Sequence, residues 1–290
     1  MFVKRNGITA YIIIILILTL PAIAVNCKLV ENPPGVTAVQ NVAVKINSDS
    51  TGSASTAIIS WDPSADQNDN DFSGYSVITY QLDANGNINS TFDKANLSKS
   101  TLSYTVDSIG TGVRFRTYIF SKLSDGTKSD SVGTIIYAGV FYRTDGIIDE
   151  YQPGDQTQII CGFGWDEQTG TGYNIPYLNE NANFIDMNMR QNSSGILVFS
   201  SPALFSPGIR TTLFSLVGQG QAAFDQTDLT EPVNYSADVD SNNVYLVKLQ
   251  EGIYVKVWVR DVRFITNSVP PFYNVIFDYK LQPIVGLRVL

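Results

Sequence analysis

From residue 35 onward, most of the chain is made of short runs with an apolar side chain at every second position. Val42, Val44 and Ile46 alternate with polar neighbours, as do Leu102, Tyr104 and Val106. Ile58 to Trp61, Tyr75 to Leu82 and Val113 to Phe120 read as further strands, because a period of two sends one face to a core and the other to water. Asn85-Gly86 predicts a two-residue type I′ hairpin, a turn that needs positive φ at both central residues, and Asp125-Gly126 predicts a second turn. Farther on, Val244 to Leu249, a turn at Gln250-Glu251-Gly252, and Ile253 to Arg260 form a hairpin. In its second strand Ile253, Val255, Val257 and Val259 face a core. Tyr254, Lys256, Trp258 and Arg260 face the other way, as a half-covered surface or a ligand platform. Val275, Phe277, Tyr279 and Leu281 alternate once more before Pro283 ends the strand. No window has a 3.6-residue period. The pattern predicts an all-β protein: one β-sandwich over 33–140, then a second antiparallel β-sandwich or jelly-roll-like domain over 141–290.

The N-terminal 26 residues break this pattern. Lys4 and Arg5 precede an apolar run from Tyr11 to Leu20, about half the ~20 residues of a membrane span, and Cys27 follows at once. Residues 1–26 read as a signal peptide. Cys27 after such a run resembles the acylated first residue of bacterial lipoproteins, with Asn26 where that family prefers Ala or Gly. The resemblance implies lipidation at Cys27, a short lipid-anchored linker over 27–32, and an exported protein held in the cell envelope, at the outer membrane or the cell surface. An uncleaved anchor and plain secretion are the alternatives, and both also place the remainder outside the cytoplasm. The second cysteine, Cys161, then has no disulfide partner, and its apolar setting marks it as a small core residue.

Over 33–140 the chain resembles a fibronectin type III domain. The resemblance rests on Pro33-Pro34, Trp61-Asp62-Pro63, Gly74-Tyr75, the run from Tyr104 to Ile109, and Gly126 with Ser129. It implies that Trp61 packs in the core. It departs from the family at Phe115, where a tyrosine hydroxyl is expected. The segments Tyr245 to Lys256 and Phe277 to Pro283 are similar to the terminal strands of HmuY-type envelope lipoproteins, several of which bind haem.

Charge and composition then narrow the chemistry. The 290 residues carry 19 basic and 27 acidic side chains, a net charge of −8, which argues against a nucleic-acid partner. The imbalance lies mostly in residues 144–290, with 8 basic and 16 acidic groups. There is no histidine, so histidine-based nucleophile activation and haem ligation are excluded. Met187 and Met189 point to the same side of one strand and cannot bracket an iron; they are expected to fill a sheet face. The acidic loop Asp62 to Asp71 departs from an EF-type calcium loop at Asp71 and Val77 and is expected to be a solvated loop. No cofactor and no metal site are expected.

The candidate ligand-binding residues are Trp165, Tyr173, Tyr177 and Trp258. The first three lie in a Gly-rich, aromatic-rich stretch that reads either as a connecting loop with buried rings or as a platform on which sugar rings stack, with Asp166 and Glu167 accepting hydrogen bonds from sugar hydroxyls. Adjacent in sequence, Asp166 and Glu167 make a poor acid–base pair for hydrolysis, and no enzyme is expected. Two functions remain. One is a non-catalytic, lipid-anchored envelope protein presenting a β-domain for adhesion or envelope assembly, with envelope proteins or glycans as partners. The other is ligand capture by the C-terminal domain, of a glycan before haem.

Overall fold

The computed structural model describes residues 35–48, 55–129, 133–152, 161–176, 179–205, 209–227 and 229–290. Cys27, the Pro33-Pro34 pair and Tyr177 lie outside the described residues. The protein is all-β, built from antiparallel sheets.

Seven strands form the first sandwich: β1 (Gln40–Ser48), β2 (Ser55–Asp62), β3 (Phe72–Leu82), β4 (Ile88–Ser98), β5 (Ser103–Ile109), β6 (Arg114–Leu123) and β7 (Gly133–Ala138). They pair as a three-stranded sheet β1-β2-β5 and a four-stranded sheet β4-β3-β6-β7, the strand arrangement of a fibronectin type III-like sandwich. Alternation in β6 is strict, with Phe115, Thr117, Ile119 and Ser121 buried and the residues between them half-buried. Trp61 is in the core, edge-on to Tyr75 with ring centroids 5.5 Å apart. Phe115 is buried against Phe92 and Tyr137. Hydroxyl bridging in this layer belongs to Tyr137, which bonds Thr117 at 3.0 Å, and Thr117 in turn bonds Thr79 at 2.8 Å.

The β3–β4 turn differs from the type I′ expectation. Gly86 has φ of 83°, while Asn85 is not among the positive-φ residues. The Gly86 N–H donates to the Asp83 carbonyl at 3.0 Å, and the Asp83 N–H to the Asn87 carbonyl at 2.9 Å. This is a three-residue loop, a type I turn closed by a left-handed glycine. The Asp83 carboxylate holds it by accepting the N–H groups of Asn85 and Asn87. In the acidic loop, Asp66 accepts the Thr37 N–H and Asp62 accepts the Asn41 side-chain amide, so both carboxylates are used within the fold.

The remaining strands form two five-stranded sheets. One is β10 (Gly172–Ile175), β9 (Gly162–Trp165), β11 (Met187–Gln191), β12 (Leu197–Ser200) and β14 (Ser236–Asp238), in that spatial order. The other is β13 (Leu213–Gln219), β15 (Asn243–Lys248), β16 (Tyr254–Ile265), β17 (Phe272–Gln282) and β8 (Phe141–Asp149). Met187, Met189, Phe199 and Phe277 fill the space between the sheets with Val255, Val257 and Val259. Cys161 is buried, as a small core residue would be.

The outer face of β16 is covered. Tyr254, Lys256 and Trp258 are all buried, beneath the short helix α1 (Gly220–Asp225), Leu290 and the first sandwich. One apolar cluster runs through the junction, joining Ile109 and Val140 to Leu246, Tyr254 and Leu290. Lys45 of β1 reaches Asp225 of α1 at 3.1 Å across the same junction.

Candidate functional site

A cleft of about 370 Å³ opens at one end of the second sandwich, lined by Trp165, Glu167, Tyr173, Phe184, Arg210 and Glu251 among others. Its floor is set by the β9–β10 hairpin. Phe163 and Trp165 are two apart on β9 and both turn inward, their rings edge-on at 5.1 Å. Trp165 also meets Tyr279 edge-on at 6.0 Å, and the Tyr279 hydroxyl donates to the Gly170 carbonyl at 3.0 Å. The hairpin turn requires glycine at 170: φ is 67°, and an added Cβ would sit 2.1 Å from the Phe141 ring.

Asp166 organises that turn. Its carboxylate accepts the Gln168 and Thr169 N–H groups and the Tyr173 hydroxyl, at 2.8, 3.3 and 3.0 Å, and these bonds hold its pKa below the ordinary value. Tyr173 is thereby fixed with its ring 44% exposed at the rim. Phe184 ends a 3₁₀ turn (Asn179–Phe184) and stands 68% exposed on the same rim.

Behind the rim lies a buried ion network. Asp186 accepts the Trp165 N–H at 2.9 Å through Oδ2, and through Oδ1 it accepts Arg210 Nε at 2.8 Å and Nη2 at 2.6 Å. The same Arg210 Nη2 reaches Glu251 Oε2 at 2.7 Å, on the β15–β16 turn. Arg210 therefore ties both sheets together at the mouth of the cleft. Burial pushes the Asp186 carboxyl up to about 6, against the pull of Arg210 and the Trp165 N–H. Burial opposes the Arg210 cation, but the flanking carboxylates of Asp186 and Glu251 more than offset it and raise its pKa. Burial, followed by the nearby Glu251 carboxylate, raises Glu167. The cleft thus offers two exposed rings, fixed carboxylate acceptors and one guanidinium.

Of the residues singled out in the sequence, Trp165 and Tyr173 come together here, and Trp258 does not. Trp258 lies on the outer face of β16, 5.4 Å from the Phe224 ring, with the Arg260 guanidinium 3.7 Å from its ring centroid and its Nε1–H donating to Asn242. Trp165 is mostly core, 6% exposed. Sequence reasoning missed Phe184, Asp186, Arg210 and Glu251, which come from three separate parts of the chain. The one legible signal was Asp186, an acid flanked by Phe184, Ile185 and Met187.

No protein-family model and no curated protein sequence matches the chain. Among solved structures it is similar to the FN5 domain of Drosophila Lar, at 17% identity and a TM-score of 0.26, over 36% of this chain and 98% of that one. An FN3 domain of human collagen XX is 13% identical over the same shares, with a TM-score of 0.26. A two-domain fibronectin type III segment of chicken tenascin is 14% identical, covering 76% of this chain and 89% of that one, with a TM-score of 0.27. At these values the assignment of the first sandwich rests on its own strand order.

Proposed function

We propose that this chain is an exported, lipid-anchored, non-catalytic binding protein whose second sandwich captures a saccharide in its end cleft, with the first sandwich as the spacer that presents it. The observation that supports this most is the rim of the cleft, where Tyr173 and Phe184 expose aromatic faces beside the carboxylates of Glu167 and Glu251. The C–H faces of a sugar ring pack on such rings, and its hydroxyls donate to carboxylates such as that of Glu251, which Arg210 holds in place. Clefts built on the loops of a rigid scaffold are common binding sites. The continuous apolar cluster at the junction supports the spacer role, because it lets the first sandwich carry the second as one piece.

The test is titration calorimetry of residues 28–290 against a panel of neutral oligosaccharides, with Phe184→Ala as the comparison. Binding that is lost in the variant supports the reading; a panel with no binder sinks it. The anchor has its own test. Cys27→Ser should move the full-length protein from the detergent phase to the aqueous phase in a bacterial expression host, and unchanged partitioning would remove the lipid from the proposal.

A further inference from the structure

The outer face of the four-stranded sheet in the first sandwich carries a charge opposite to that of the whole chain. The four strands of this sheet contain a single acid, Asp93, and its carboxylate turns to the opposite sheet, accepting the Tyr104 hydroxyl at 2.7 Å. On the outer side stand Arg114, Arg116 and Lys122 of β6, Lys94 of β4, which pairs with Ile78, and Lys128, whose ammonium donates to Ser76 at 3.0 Å. Among the described residues none of these five cations has an ion-pair partner, in a protein of net charge −8.

Aromatic rings are interleaved with the cations. Tyr80 and Tyr118 meet edge-on at 5.7 Å, and Tyr118 and Phe120 stack at 6.5 Å with 27° between their planes. Lys128 lies over the Phe120 ring at 5.1 Å, and Arg116 donates to the Tyr118 hydroxyl at 3.3 Å. Beside this ladder runs an open groove of about 420 Å³, lined by Arg116, Tyr118, Thr134, Ile135 and Ile136. Outward positions on a strand are about 6.7 Å apart, so the row from Arg114 to Lys122 spans about 27 Å. This is long enough for several units of a linear polymer.

We propose that this face binds a carboxylated linear polysaccharide, a polyuronate in chemical class. The uncompensated cations supply counter-charge for carboxylates at a regular spacing, and Arg116 offers the planar fork that suits them. The rings provide flat apolar patches for sugar faces between the charges, which an acidic peptide would not use in the same way. This site lies on the other sandwich from the end cleft and takes an anionic ligand where the cleft takes a neutral one, so neither proposal depends on the other.

The test is biolayer interferometry of the lipid-free chain 28–290 on immobilised polygalacturonate, with dextran and poly-glutamate as controls. Polygalacturonate should bind and dextran should not, and binding should weaken as salt rises. Arg116→Gln combined with Lys122→Gln, two half-buried polar positions, should weaken binding at least about tenfold while leaving the unfolding midpoint in place. Phe184→Ala, at the distant cleft, should leave it unchanged. No binding of polygalacturonate, or binding indifferent to the Arg116 and Lys122 changes, overturns the proposal. Equal binding of poly-glutamate overturns it in favour of an acidic protein segment.

Discussion

Lys256 and Lys280 stand opposite each other on paired strands and direct both ammonium groups at one carbonyl oxygen, that of Phe224, at 3.1 and 3.2 Å. The lysines differ in what else they meet. Lys280 also reaches Asp225 at 3.3 Å, whereas the described partners of Lys256 are the carbonyls of Phe224 and Gln226 and a main-chain oxygen of Leu290. Burial, reinforced by the neighbouring Lys280 cation, brings Lys256 down to about 7, and burial lowers Lys280 as well.

The sign of the resulting pH dependence follows from proton counting. Between about 7 and the ordinary lysine value near 10.4, the unfolded chain holds a proton on Lys256 that the folded chain has released. Stability from this group therefore rises with pH across that window, by an amount on the order of a few kcal/mol. Below about pH 7 both states are protonated and the full cost of burying the charge remains. Urea unfolding at a series of pH values from about 7 to about 10, roughly the span between the two pKa values, should show a rising midpoint. Lys256→Met should flatten that rise, since it removes the titrating group and retains the apolar stem.

Arg210 is the cation paired with the buried Asp186 carboxylate, whose other oxygen accepts the Trp165 N–H. Arg210→Met strands a carboxylate that is 1% exposed, and the expected cost is about 3–5 kcal/mol in urea unfolding at neutral pH. Adding Asp186→Asn should recover a large part of that loss, because a neutral amide still meets the Trp165 N–H without an unpaired charge. If the double variant is as unstable as the single one, the cost lies in lost packing and not in the stranded charge.

The β3–β4 turn makes a sharper distinction. Gly86 has φ of 83° with open space around its missing Cβ, so Gly86→Ala carries only the backbone penalty, about 1 kcal/mol. Asn85→Ala should cost less than about 0.5 kcal/mol, because Asn85 is outside the positive-φ set. A type I′ turn would make the two substitutions comparably damaging. Unfolding midpoints of the two single variants decide between these geometries.

That turn also shows what a sequence can and cannot reveal. Asn85-Gly86 placed the hairpin correctly, but its type was decided by Asp83, whose carboxylate captures two N–H groups and lengthens the loop. The strands were legible because a period of two is imposed locally by the pleat, and the inward positions of β6 and β16 follow it closely. The outer face of β16 was not legible. What covers Trp258 and Lys256 is α1, whose six residues are too few to print a helical period. The cleft was half legible: Trp165 and Tyr173 share one hairpin, while Arg210 and Glu251 come from elsewhere in the chain and leave no spacing to read.

The aromatic rings of the cleft separate binding from folding. Trp165 is 6% exposed and wedged against Phe163 and Tyr279, so Trp165→Ala should cost about 3–5 kcal/mol and abolish binding by loosening the sandwich. Its loss of binding would say nothing about contact with a ligand. Phe184 is 68% exposed, and Phe184→Ala should shift stability by less than about 0.5 kcal/mol. If the ring carries a sugar, that variant should weaken saccharide binding at least about tenfold, the loss of roughly 1.4 kcal/mol of contact. Tyr173→Phe supplies the complementary measurement. It keeps the ring but removes the hydroxyl that donates to Asp166, so it should release Asp166 toward its ordinary pKa and weaken binding less than Phe184→Ala does. A stable Phe184→Ala protein that binds saccharide as tightly as the parent would take the rim out of the site.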